Sequence, residues 1–141
     1  MALTIQDSVE IDRPCEIVYG FVRDLERAPQ WQESLESVDV HAGTEVRKFG
    51  GLRHEAVFVV QEDDPPRRFV ITSEGGPVFA RATFDLQQSG DGTRVDFSLE
   101  LDLHGAARLA GGIVKATALR EARSNLERLR ELAEGTQQAA G

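Results

Sequence analysis

Val78-Phe79-Ala80-Arg81-Ala82-Thr83-Phe84-Asp85-Leu86 and Val95-Asp96-Phe97-Ser98-Leu99-Glu100-Leu101-Asp102-Leu103 are two runs in which every second side chain is apolar. A period of two is that of a strand with one face buried and the other in water. Between them, Ser89-Gly90-Asp91-Gly92-Thr93 supplies the glycines that a tight reversal needs. The pair is therefore expected to be an antiparallel hairpin with one solvated face. Its apolar face has to be covered by another element.

The chain downstream offers that cover. After His104-Gly105 a single long helix is expected over Ala106–Glu134, with Leu119, Ala122, Leu126, Leu129 and Ala133 at the spacing of a buried stripe. Gly135 is a natural stop, and Thr136–Gly141 is expected to be a disordered tail, so residues 1–135 make one domain. Gly111-Gly112 is unusual inside a helix, because each glycine costs about 1 kcal/mol relative to Ala. It marks either a kink or late helix start, or room left for a ligand. Extending the stripe back from Leu119 reaches Ala116 and Gly112, both small. A well-packed core wants bulk at both ends, so an apolar pocket is expected beside Gly112 and Ala116.

Upstream, Leu3, Ile5, Val9 and Ile11 alternate as a first strand. Asp12-Arg13-Pro14 then reads as a helix start, with Asp12 or Arg13 at the cap and Pro14 in the first turn. Pro29 forces a break, giving a short second helix around Leu25–Gln30. Strands follow at Leu35–Val40, Val46–Phe49, Arg53–Gln61 and Arg68–Ser73. Ala42-Gly43-Thr44, Gly50-Gly51, Glu62-Asp63-Asp64-Pro65-Pro66 and Gly75-Gly76-Pro77 are expected as the turns between them. The whole is an α+β domain: a curved antiparallel sheet of six or seven strands wrapped around a long C-terminal helix, with two short helices after the first strand.

Composition narrows the class. The 141 residues carry 16 basic and 24 acidic side chains, a net charge of −8, which argues against a nucleic-acid surface. No apolar run reaches the ~18–20 residues of a membrane span, so stable membrane insertion is not expected. The N-terminus lacks the basic and apolar regions of a signal peptide, and a lone cysteine cannot form an internal disulfide. A cytoplasmic location is the expectation. Arg outnumbers Lys 14 to 2, a bias read as genomic rather than functional.

Candidate site residues come from polar side chains in apolar phase, since burying such groups is costly unless they are hydrogen-bonded. Asp7 shares parity with Ile5 and Val9, His54 with Ala56, Phe58 and Val60, and Ser73 with Phe69 and Ile71. With Phe58, Trp31, Ala80, Ala82, Gly112 and Ala116 they form the expected ligand-binding set. Arg81 lies on the opposite parity from Ala80 and Ala82, so it faces the site only if that strand's inward face is reversed. His41, His54 and His104 sit on separate segments without ligand spacing, so no metal is expected, nor any cofactor. Cys15 near a helix start is read as a packed side chain before a nucleophile.

Several phrases, in order, resemble one known family. They are Ser8-Val9-Glu10-Ile11-Asp12-Arg13-Pro14-Cys15-Glu16-Ile17-Val18, Asp24-Leu25-Glu26-Arg27-Ala28-Pro29-Gln30-Trp31, Asp64-Pro65-Pro66-Arg67-Arg68, and Gly76-Pro77-Val78 leading into Gly90-Asp91-Gly92-Thr93-Arg94-Val95. The chain resembles the polyketide cyclase/dehydrase and lipid-transport family of the START/pollen-allergen-like helix-grip (SRPBCC) superfamily. That resemblance implies a helix-grip fold and a small hydrophobic partner, a lipid, polyketide or isoprenoid, bound or carried in an internal cavity. It leaves two alternatives open. One is a polyketide aromatase/cyclase performing aldol cyclisation and dehydration in the cavity, with His54 and Arg81 as catalytic candidates. The other is a partner-binding module with a vestigial cavity. The resemblance also implies that Trp31 closes one cavity end. The resemblance implies that cyclase-type relatives carry a cavity Arg, a Tyr and often a His. Here the strands contain no Tyr, and the Arg candidates are Arg47, Arg53 and Arg81.

Overall fold

The computed structural model describes residues 2–49 and 52–140. The expected turn at Gly50-Gly51 and the last residue of the expected tail lie outside them. Strand β1 (Ala2–Ile11) leads into helix α1 (Cys15–Arg23) and a 3₁₀ helix (Leu25–Gln30). Then come β2 (Leu35–Asp39), β3 (Thr44–Phe49), β4 (Leu52–Asp64), β5 (Arg68–Gly75), β6 (Val78–Ser89) and β7 (Gly92–Leu103). A second 3₁₀ helix (Gly105–Ala110) precedes α2 (Gly111–Ala140). The seven strands form one antiparallel sheet in the order β1-β7-β6-β5-β4-β3-β2.

The β6–β7 hairpin has the expected register. Ala80 pairs with Leu101, Ala82 with Leu99, Phe84 with Phe97 and Leu86 with Val95, so the apolar parities of both strands share a face. Helix α2 covers that face. Leu126, Leu129 and Ala133 pack with Phe84, Leu86, Val95, Trp31 and the α1 residues Val18 and Val22. Ala118 and Ala122 pack with Ile5 and Leu101 at the other end. Two buried clusters thus hold the helix, one rich in large side chains and one in small.

Four local expectations are corrected. The N-cap of α1 is Pro14, with extended ψ, and its carbonyl accepts from the Ile17 and Val18 amides. Proline's fixed φ suits this position, where its missing N–H costs nothing. Glu62-Asp63-Asp64 continues β4 instead of turning, through a bulge between Val60 and Glu62. The acidic run is tolerated there because each charge meets a cation: Glu62 and Arg68 at 3.4 Å, Asp63 and Arg23 at 2.6 Å, Asp64 and Arg67 at 3.1 Å. The Tyr19 hydroxyl donates to Asp63 Oδ1 at 2.5 Å and lies 2.9 Å from the Arg68 carbonyl, tying α1 to this corner. Hydrogen bonds from Arg23 and Tyr19 hold the Asp63 carboxyl below its ordinary range.

The remaining two corrections concern the long helix. It starts at Gly111 rather than Ala106, so the Gly-Gly pair is its first turn and marks a late start. It also runs past Gly135 to Ala140.

Gly92 is the one glycine whose lack of a side chain the β1–β7 pairing demands. A Cβ there would sit 2.5 Å from the Ile11 carbonyl oxygen and 3.3 Å from Asp12 Cα, both backbone. Gly92→Ala should therefore cost roughly 1–3 kcal/mol through backbone displacement. A lowered urea midpoint with an unchanged slope checks this, and an unaltered midpoint would show that β1 yields freely.

Candidate functional site

Between the two buried clusters lies a cavity of about 210 Å³. The sheet contributes the inward parities of β4 to β7, among them Phe58, Ile71, Ala80, Ala82, Phe97 and Leu99. Helix α2 contributes Val114, Ala118, Ala122 and Leu126. The volume falls below the ~300–1,000 Å³ of drug-sized sites, so the cavity suits a small molecule. Its walls include alanine from both layers, Ala118 and Ala122 on the helix and Ala80 and Ala82 on the sheet. Side chains this short leave the space between the layers open.

Trp31, His54, Phe58, Ser73, Ala80 and Ala82 all line this space. Gly112 and Ala116 do not: both are exposed. The inward row of α2 is Gly111, Ala118, Ala122, Leu126, Leu129 and Ala133, all buried. Leu119 is 42% exposed, so extending the stripe back from it drifted round to the outer face. The principle of small residues in the N-terminal half holds, but at Ala118 and Ala122. Asp7 is also outside the cavity, half-buried on the edge strand β1 with Arg123 of α2 at 3.8 Å. Arg81 pairs across the sheet with Thr72 and Glu100 on the parity opposite to the cavity-lining Ala80 and Ala82, so it drops out of the site. Arg53 is exposed and bridges to Glu36 at 2.7 Å. Cys15 lies 3.3 Å from Thr93 Oγ1, which donates to the Arg13 carbonyl, and it touches no base among the described residues.

One end of the cavity is polar, and most of its residues were not expected. Arg47 and His54 are register partners on β3 and β4, and both line the cavity. The Arg47 guanidinium donates to Ser34 Oγ and Gln32 Oε1, each at 3.0 Å, and pairs with Glu45 Oε2 at 3.1 Å. Glu45 is only 6% exposed. Glu121 reaches the same group from α2, and Asn125 Oδ1 accepts from the Glu33 amide. Parity hid Glu45 and Arg47, because the apolar Val46 between them pointed to the opposite face as inward. A better signal was that Arg47 falls opposite His54 once the β3–β4 hairpin is closed.

Two groups in this region are electrostatically unusual. Burial and the Glu33 carboxylate push the Glu121 carboxyl up, against the opposing pull of Arg47, a Ser34 hydrogen bond and Arg120. The Trp31 indole Nε1 is buried without a hydrogen-bond partner among the described residues. Buried donors of this kind are rare, and a bound acceptor or a water would satisfy them.

A raised folded-state pKa means that the folded protein holds a proton the unfolded chain has released. Stability then falls as pH climbs from the unfolded Glu value, about 4.3, through the folded one. Glu121→Gln should therefore raise the thermal midpoint above that window and leave it unchanged below. Parallel midpoint-against-pH curves for parent and variant would contradict the placement of Glu121.

Among the described residues no group of three His, Cys, Asp or Glu is placed to hold a metal, and no helix is long and apolar enough to cross a membrane.

The family model described as polyketide cyclase/dehydrase and lipid transport matches residues 2–134. No curated protein matches the chain significantly. Among solved structures, the protein TTHA0849 from Thermus thermophilus is similar at a TM-score of 0.81 and 23% identity, over 95% of this chain and 99% of that one. A START superfamily protein from Mycobacterium smegmatis superposes with a TM-score of 0.81 at 16% identity, over 94% and 98%. The Zhui aromatase/cyclase from Streptomyces sp. R1128 gives a TM-score of 0.80 at 13% identity, over 100% and 99%. These likenesses establish the helix-grip fold.

Proposed function

Because the chain belongs to the polyketide cyclase/dehydrase and lipid-transport family, we propose that it binds a small, largely apolar molecule in the cavity between α2 and the sheet. The observation that carries this reading is the alanine-lined gap with polar groups gathered at one end, the arrangement that fixes a ligand's pose while apolar contacts supply affinity. We place the protein in the cytoplasm on the strength of its single cysteine, and treat residues 1–135 as the binding unit.

Trp31 is the sole tryptophan, is 2% exposed and lines the cavity, so its emission is a built-in reporter. Titration with an uncharged apolar probe such as 1-octanol should change that emission saturably. A linear, unsaturable response would contradict the reading.

A second reading, aldol cyclisation, is favoured by one observation: Arg47 and His54 face each other into the cavity, where a guanidinium would polarise a carbonyl and an imidazole would move a proton. Under that reading His54→Ala would abolish turnover of a poly-β-ketone chain without altering the fold, and Arg81→Ala would leave it intact. Equal activity of parent and His54→Ala would remove the enzyme reading.

A further inference from the structure

Resting on the cavity-binding reading above, we propose that the polar end selects an uncharged ligand bearing a hydroxyl group and rejects the corresponding free carboxylic acid in its ionised form. Arg47 supplies the only Lys or Arg side chain lining the cavity among the described residues. Its guanidinium is committed to three protein acceptors, Ser34 Oγ, Gln32 Oε1 and Glu45 Oε2. A buried carboxylate such as Glu45 needs a paired cation. Arg47 keeps N–H donors for a ligand oxygen, but its single positive charge is already matched by Glu45, so a ligand carboxylate would have to share that charge with a buried carboxylate.

The remaining charged groups oppose an anion as well. Glu121 adds a second carboxyl from α2, and Glu33 stands near enough to disfavour its ionisation. A ligand carboxylate entering this end would meet the Glu45 charge and, whenever Glu121 is ionised, a second one in a poorly solvated space, with no uncommitted Lys or Arg among the described lining residues to offset it. The surroundings reject an anion by the same interactions that favour the protonated form of Glu121.

What the cavity offers a ligand head is different in kind. Glu45, Glu121 and Ser73 present oxygen acceptors, and Trp31 holds a buried N–H without an acceptor among the described residues. A hydroxyl both donates and accepts, and carries no charge to desolvate. The head group that matches this inventory is therefore an alcohol or a phenol on an apolar body.

Matched probes of one chain length test the selection: 1-octanol against octanoate at about pH 8, where the acid is fully ionised, each followed by Trp31 emission. Octanol should bind roughly tenfold tighter or more, a like-charge penalty read as a dissociation-constant ratio. Glu121→Gln, whose amide oxygen still accepts a hydrogen bond, should narrow the ratio by strengthening octanoate. Glu45→Gln, if it folds, should narrow it further by releasing Arg47. Octanoate binding the parent as tightly as octanol would overturn the selection and leave the cavity reading standing. Failure of both probes to bind would remove the cavity reading and this proposal together. A ratio that Glu121→Gln leaves unchanged would overturn the electrostatic account, since headgroup size alone would then explain the preference.

Discussion

Leu129→Ala is expected to be the most damaging single truncation, lowering stability by roughly 2–5 kcal/mol. Leu129 is fully buried and sits in the large-residue cluster that joins α2 to α1, Trp31 and the β6–β7 hairpin. Close packing on all sides means that every removed methyl group loses partners and leaves a void. Leu126, one turn earlier, is also buried but already borders the cavity, so part of its surface has no neighbours to lose. Leu126→Ala should therefore fall at the lower end of the same range. Urea midpoints for the two variants check both the magnitude and the order. A Leu129→Ala midpoint equal to the parent's would mean that the helix does not anchor the sheet through this face.

Ala122→Leu should have the opposite profile, with binding reduced by roughly tenfold or more and folding little changed. Ala122 is 5% exposed and lines the cavity midway between Ala118 and Leu126. Added carbons in a close-packed core force strain costing about 1–3 kcal/mol, but here they project into existing space. The variant thus exchanges ligand volume for side-chain volume. Trp31 emission during 1-octanol titration reads the loss, and a thermal midpoint reads the fold. A variant that folds normally and binds octanol at the parent's strength would place the ligand elsewhere. The same substitution at exposed Ala116 should alter neither property, which makes it the control.

The contrast between Ala122 and Ala116 shows where sequence patterning stops being informative. The β6–β7 hairpin was readable because ten apolar residues hold one parity, with Phe79 alone off it, and any slip would turn all ten to water. The helix was readable as a helix, but its rotation rests on a few weakly apolar side chains. Leu119 carries more weight than Ala118 in a hydrophobic pattern, and the fold buries the alanine. Hydrophobicity ranks a leucine above an alanine for burial, whereas a cavity wall reverses the order.

Polar residues divide in the same way. His54 and Ser73 were found because their neighbours of like parity are Phe58 and Ile71, unambiguous inward residues. Asp7 obeyed the same rule and failed, because β1 is an edge strand where Arg123 of the helix flank meets the carboxylate. Ser34, the Glu45–Arg47 pair of β3 and Glu121 come from three separate stretches of chain, and only the closed sheet with its helix brings them together. Arg47 offsets Glu45 locally, so none of the four stands out when read alone.

The central claim is that a small apolar molecule occupies the space between α2 and the sheet. Intermolecular NOEs between bound 1-octanol and alanine methyl groups test it most directly, with selective ¹³C labelling of alanine. NOEs are expected to Ala80, Ala82, Ala118 and Ala122, which line the cavity, and none to the exposed Ala116. NOEs to Ala116 with none to those four would contradict it.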